Sequence, residues 1–295
     1  MKKIIIISLI TIGGATFYFF NQADSSKVAI KVQSKKPSES RIKAKKILEQ
    51  RIKRREAKKE QVQEVQRTLT NEETRIIDLT TKGLGLSDIN EQMLATYKQL
   101  APKNSKLHDF IKNFSFEDEY KRELAKLDNE SLRIIGELED HPISQELTNN
   151  TKETNIKIEE FMATGKGEDI SPEKQNLIDL VTTETSAHES MLELTQNILE
   201  SSIRYGLTNT ESNLNQSEVE LQSIERADSY IQKQAATFKK IVDISYSSLS
   251  ADQLEEYSDF LQKINAREAT VIATKALEPV FYRFTIGIID RTKKP

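Results

Sequence analysis

The chain has 295 residues, of which 30% are charged and 37% hydrophobic, so it is long enough for one or two folded domains. It contains no cysteine, which excludes a disulfide framework, a thiolate metal site, a cysteine nucleophile and a lipid-modified N-terminal cysteine. Nine glycines and six prolines stand beside abundant Leu, Ile, Glu, Lys and Gln, and this composition predicts an all-α fold.

The first twenty residues form an apolar segment that predicts membrane targeting. Lys2 and Lys3 precede an uncharged run, residues 4–20, which fits an export signal or a membrane-spanning helix near its lower limit of roughly 17 residues. Only Ala23 fits the small-x-small pattern of a cleavage site, and the aromatic cluster at 17–20 is typical of an interfacial anchor. We interpret residues 1–24 as a retained signal anchor, with a cleaved signal peptide as the alternative.

The lysines around this segment predict its orientation. Lys2 and Lys3 favour an N-terminus in the cytoplasm, although four lysines between 27 and 36 partly cancel that bias. A body without cysteine also suits export. We therefore expect a single-pass protein of the bacterial cytoplasmic membrane, with its body outside the cytoplasm, either periplasmic or at the cell surface.

Charge divides the chain into a basic arm and an acidic body. Residues 1–67 carry 17 basic and 6 acidic side chains, a net charge of +11, whereas residues 68–295 carry 26 and 40, a net charge of -14. The region 25–68 is predicted to be a basic linker and an exposed helix, because serines after Pro37 can cap it and neither Gly nor Pro interrupts residues 41–69. The arm has no aromatic residue to stack on bases, so a nucleic-acid partner is not expected.

Two interpretations of the arm remain open. It is either a solvated spacer helix or a helix held against anionic lipid head groups, an attraction of about 1 kcal/mol per basic residue near the surface. The candidate lipid contacts are Lys45, Lys46, Lys53, Arg54, Arg55, Lys58 and Lys59.

The body is predicted to be a helical bundle made of two blocks, residues 69–164 and 170–290, separated by a glycine-containing linker at 165–169. In the first block, Thr70 and Glu73 form a capping-box pattern, a helix is expected over 87–100, and apolar repeats predict further helices over 107–114, after Asp128 and over 142–162.

In the second block, Ser171 and Pro172 predict the start of one long helix, or two in series, ending at Gly206. A polar loop over 208–216 and a helix over 217–246 follow, and Ser250 begins a second capping-box pattern. Charged residues between 275 and 283 make the last apolar helix a packed helix and not a second membrane span, and Pro279 is expected to kink it.

The two blocks share sequence patterns. Residues 76–79 (Ile-Ile-Asp-Leu) match residues 177–180 (Leu-Ile-Asp-Leu), and residues 128–132 match residues 250–254. These matches favour a duplication. Chance similarity of helical sequences is the alternative, because the offset changes from 101 to 122 residues between them.

Residues 249–254 (Leu-Ser-Ala-Asp-Gln-Leu), followed by Phe260, resemble the turn-helix start of a family of bacterial exported all-helical domains of unknown function. Residues 138–144 keep the proline of the second family element, whereas residues 261–266 lack its tyrosine, serine, proline and glycine. The resemblance implies an all-helical fold and an exported location, and it implies no activity.

No chemistry-bearing motif emerges. His108, His141 and His188 lack metal-ligand spacing, and Glu184 and Glu193 near His188 are best interpreted as a solvated helix face. The glycine pairs at 83–85 and 165–167 lack the spacing of a phosphate loop and predict turns. We expect no catalytic, cofactor-binding or metal-binding residue, and no cofactor.

These features predict a membrane-anchored, extracytoplasmic helical interaction or scaffold protein with a protein partner, and not an enzyme. The alternative is an exported small-ligand receptor or enzyme with a site between helices. A rise in melting temperature on addition of a metabolite would distinguish the second class, because a ligand of the native state stabilises it.

Overall fold

The computed structural model describes residues 45–46, 68–86, 89–210 and 214–292. Within these ranges the protein is all-helical and has no strand, which confirms the predicted fold class for this part of the chain. Twelve helices follow Leu69: α1 Asn71–Gly83, α2 Ile89–Leu100, α3 Ser105–Asn113, α4 Phe116–Leu124, α5 Asn129–Glu139, α6 Pro142–Asn149, α7 Thr151–Thr164, α8 Pro172–Thr185, α9 Ala187–Thr210, α10 Gln216–Tyr246, α11 Ala251–Lys263 and α12 Ala266–Thr292.

The predicted membrane segment, residues 1–24, and most of the arm lie outside the described residues. Among the helices that the structure does describe, none combines the length and apolarity that a membrane crossing requires. The last helix runs from Ala266 to Thr292 with Pro279 inside it, and it packs buried residues such as Val280 and Phe284 against other helices, as its sequence predicts.

Local capping signals fix several helix starts where the sequence predicts them. The Thr70 hydroxyl accepts a hydrogen bond from the Glu73 backbone N–H, and the Glu73 carboxylate accepts one from the Thr70 backbone N–H. Ser250 and Gln253 form the same reciprocal pair at α11. Ser171 caps α8 ahead of Pro172. Each such cap stabilises its helix by about 1 kcal/mol.

The structure also corrects several predicted bounds. The region 171–206 forms two helices in series, one of the two predicted arrangements, because the chain turns at Ser186 in a left-handed conformation. The predicted end at Gly206 is wrong, since the second helix continues to Thr210. Gly206 is buried inside α9 and does not end it. The predicted piece 142–162 divides at Asn150, and the helix Phe116–Leu124, capped by Ser115, was not predicted.

Two hydrophobic cores hold the body together, and each draws on both predicted blocks. The first core joins residues of α1 to α5 with residues of α9, α10 and α12. The second joins α5 to α8 with α9, α10, α11 and the start of α12. The exposed segment that begins at Gly165 separates α7 from α8, but each core contains residues from both sides of it. The linker at 165–169 by itself predicts that a fragment starting near Ser171 folds alone, whereas the shared cores predict that it does not.

The two blocks do repeat one packing arrangement. α1 packs on α5, and α8 packs on α11. Asp78 on α1 pairs with Lys121 of α4 at 2.8 Å, and its sequence equivalent Asp179 on α8 pairs with Lys239 of α10, also at 2.8 Å. This agreement supports the proposal of a duplication.

Candidate interaction groove

A groove with about 640 Å³ of open volume lies between the start of α1 and the whole length of α5. We call it the acidic groove. Its lining residues are Thr70, Glu72, Glu73 and Ile76 from α1 and its cap, and Asn129, Arg133, Gly136, Glu137 and Asp140 from α5 and its end.

The floor of the acidic groove depends on a glycine. A Cβ atom on Gly136 would lie 2.7 Å from Ile76 Cδ1, which is closer than carbon atoms can approach. Because Gly136 has no side chain, the buried Ile76 fits against the α5 backbone. The two helices therefore meet closely at the floor, and the charged side chains form the walls.

Arg75 ties the two walls of the acidic groove together. Its guanidinium donates to both carboxylate oxygens of Asp140, at 2.6 and 2.7 Å, and to Glu72 at 2.6 Å. Hydrogen bonds from Arg75 lower the pKa of Asp140 and the pKa of Glu72. Both carboxylates are therefore ionised at neutral pH.

Arg133 forms ion pairs with two glutamates on α5 itself. It donates to Glu130 at 2.6 Å and also pairs with Glu137. Hydrogen bonding to Arg133 lowers the pKa of Glu130. The lining as a whole has four carboxylates against one guanidinium, with Arg75 beside it.

The acidic groove is open to water. The side chains of Glu72, Asp140 and Glu137 are 63%, 46% and 40% exposed. Such a surface can recognise cationic side chains.

The predicted lipid contacts are described only in part. Lys45 and Lys46 are helical and exposed, as an arm that faces solvent or lipid requires. Lys53, Arg54, Arg55, Lys58 and Lys59 lie outside the described residues. Lipid contact by the arm therefore stays a prediction.

The three histidines occupy separate places. The Nε2 atom of His108 is buried and has no hydrogen-bond partner within the described ranges. His188 packs on α10, with Nε2 3.3 Å from the Ala235 carbonyl oxygen, so this position is not the fully solvated face that the sequence predicts. The described part of the chain holds no group of three His, Cys, Asp or Glu side chains placed to bind a metal ion.

His141 forms a junction that the sequence did not reveal. Its ring stacks on Phe260 of α11 at 4.0 Å, and its Nδ1 atom accepts the Ile143 amide at the start of α6. Beside it, the hydroxyls of Ser144 and Tyr257 are 2.9 Å apart. The segments that meet here, 138–144 and 249–260, are the ones quoted above for the family resemblance, although no local signal indicates that they touch. Burial lowers the pKa of His141, and Glu256 partly opposes this effect.

Two other openings lie against α12. One, with about 250 Å³ of open volume, is polar and lies between α9 and α12, where Asn197 donates to Glu278 at 3.1 Å. The other, with about 340 Å³, lies under α12 and is mainly apolar, with the buried Glu139 and Tyr120 in its wall.

Comparisons of the chain with protein-family models, with curated proteins and with solved structures find no match. The resemblance to exported all-helical domains therefore stays a prediction, and the function must be argued from the groove and from the sequence.

Proposed function

We propose that this protein is a membrane-anchored, extracytoplasmic interaction protein whose body binds a protein partner through the acidic groove. The observation that carries the proposal is the groove itself, an open surface whose ionised carboxylates are held in ion pairs across its two walls. Its partner presents Lys or Arg side chains, because charge-assisted hydrogen bonds to carboxylates are the strongest contacts that such a surface can offer.

The N-terminal region supports attachment of the protein to the membrane. The apolar run 4–20 supports a membrane anchor, and the basic arm supports contact with anionic head groups or a spacing role. A helical body with two shared cores supports a rigid platform that presents the groove at a fixed position.

Protease access to intact spheroplasts tests the location. If the body lies outside the cytoplasm, added protease degrades it while a cytoplasmic marker protein survives. Survival of the body until the membrane is broken would contradict the location.

Cross-linking in intact cells tests the groove. A photoreactive side chain at position 129 of the full chain, in the groove, should cross-link to one partner protein. Glu72→Gln together with Glu137→Gln should abolish this cross-link. The matched control is Glu159→Gln with Glu160→Gln, two exposed glutamates on α7. Capture that is lost equally in both double variants, or in neither, would contradict recognition by the groove.

A further inference from the structure

The acidic groove opens where the arm joins the body. Leu69 packs against the first core, and Thr70 caps α1 and also lines the groove. The point at which the arm joins the body therefore lies beside the groove.

The chain immediately before this point has the complementary charge. Residues 51–67 contain seven basic and three acidic side chains, whereas the groove has four carboxylates against two guanidinium groups, Arg133 in its lining and Arg75 beside it. Since Glu72, Glu137 and Asp140 remain 40% to 63% exposed within their ion pairs, their free lone pairs can accept further donors.

The lengths also agree. The ten residues from 59 to 69 span about 15 Å as a helix and at most about 33 Å when extended. The wall formed by residues 129–140 of α5 is about 17 Å long at 1.5 Å per residue. Basic residues near position 59 can thus reach the groove, and tethering raises their effective concentration there to the millimolar range.

We propose that residues 51–59 of the chain's own arm dock in the acidic groove when no anionic lipid is present. Anionic lipid then releases the groove by binding the same basic residues, which makes access to the groove sensitive to membrane composition. This inference rests on the proposed role of the groove as a surface for cationic segments, and it names the segment that occupies it and the condition that frees it.

Trypsin cleavage of the full chain in phosphatidylcholine nanodiscs, one copy per disc, tests the docking. At 50 mM salt, cleavage at residues 51–59 should be at least threefold slower in the unmutated protein and in E159Q/E160Q than in E72Q/E137Q. At 500 mM salt the three rates should converge, because screening shortens the range of exposed charges. In discs that contain phosphatidylglycerol, the Glu72 and Glu137 changes should no longer affect the rate.

Equal cleavage rates in E72Q/E137Q and in the unmutated protein at low salt would overturn the docking. Protection that needs two copies per disc would overturn docking within one chain. The double variant leaves Arg75 with Asp140 and Arg133 with Glu130, and exposed ion pairs contribute little to stability, so its melting temperature should stay close to that of the unmutated protein. This assay contains no protein partner, so its outcome is independent of the cross-linking experiment. If the arm is not protected but the groove still captures a partner, only the docking is wrong. If the arm is protected but no partner is captured, only the proposed partner is wrong.

Discussion

Replacing Gly287 with alanine should destabilise the protein, although alanine favours helices. Gly287 is buried in α12, and a Cβ atom there would lie 2.1 Å from Cζ of Phe110 and 2.6 Å from its Cε1 atom. The ring of Phe110 must therefore move. That ring stacks on Phe284, with centroids 5.8 Å apart, and lies under the guanidinium of Arg291, which is 4.1 Å from its centroid.

The magnitude follows from opposing terms. Alanine gains about 1 kcal/mol of helix propensity over glycine. Overpacking costs about 1 to 3 kcal/mol, and a displaced aromatic pair costs about 0.5 to 1.5 kcal/mol more. The net loss should be about 0.5 to 3.5 kcal/mol, or roughly 1 to 14 °C in melting temperature for a body of this size.

Thermal unfolding of the full chain in detergent, followed by circular dichroism, measures this loss. Phe110→Leu provides the control, because a shorter side chain leaves room for the new Cβ. In that background Gly287→Ala should be neutral or stabilising by up to about 1 kcal/mol. An equal loss in both backgrounds, or a gain in the unmutated protein, would refute the clash as the cause.

Three further predictions concern the histidine junction, the blocks and the arm. Burial holds the pKa of His141 below its ordinary value of 6.5, so its contribution to stability is complete above about pH 6.5 and is lost as the pH falls through the folded-state value. His141→Asn should keep the cap on α6 and reduce this acid sensitivity, whereas an unchanged pH profile of the melting temperature would contradict it. A fragment of residues 170–290 should melt without cooperativity, because it lacks the residues that α1 to α5 contribute to the first core. A sharp transition in circular dichroism would show that the block folds alone. Replacing the five basic residues between 53 and 59 with glutamine should weaken the binding of the arm to anionic nanodiscs by up to about 5 kcal/mol. A fluorophore attached at Gln61→Cys in this cysteine-free chain reports the binding as a shift of its emission. An emission shift that survives the five changes would refute lipid contact through these residues.

Local signals predicted the helix starts well. The pairs Thr70–Glu73 and Ser250–Gln253 each lie within four residues, so the sequence alone contains both partners of the capping box. The same reasoning missed the helix Phe116–Leu124. Its buried residues Phe116, Tyr120 and Leu124 repeat every fourth position, but charged side chains fill the spaces between them, and only packing against α1 and α12 shows which face matters.

The sequence by itself determined the all-helical class, the capped starts and the separation of a basic arm from an acidic body, because composition and short-range hydrogen bonds are properties of neighbouring residues. The tertiary structure decided which helix faces share a core and where the acidic groove lies. Arg75 meets Asp140 across 65 residues of chain, and Ile76 meets Gly136, because α1 packs on α5. Such pairs depend on how distant helices dock, and no periodicity within one helix encodes its partner.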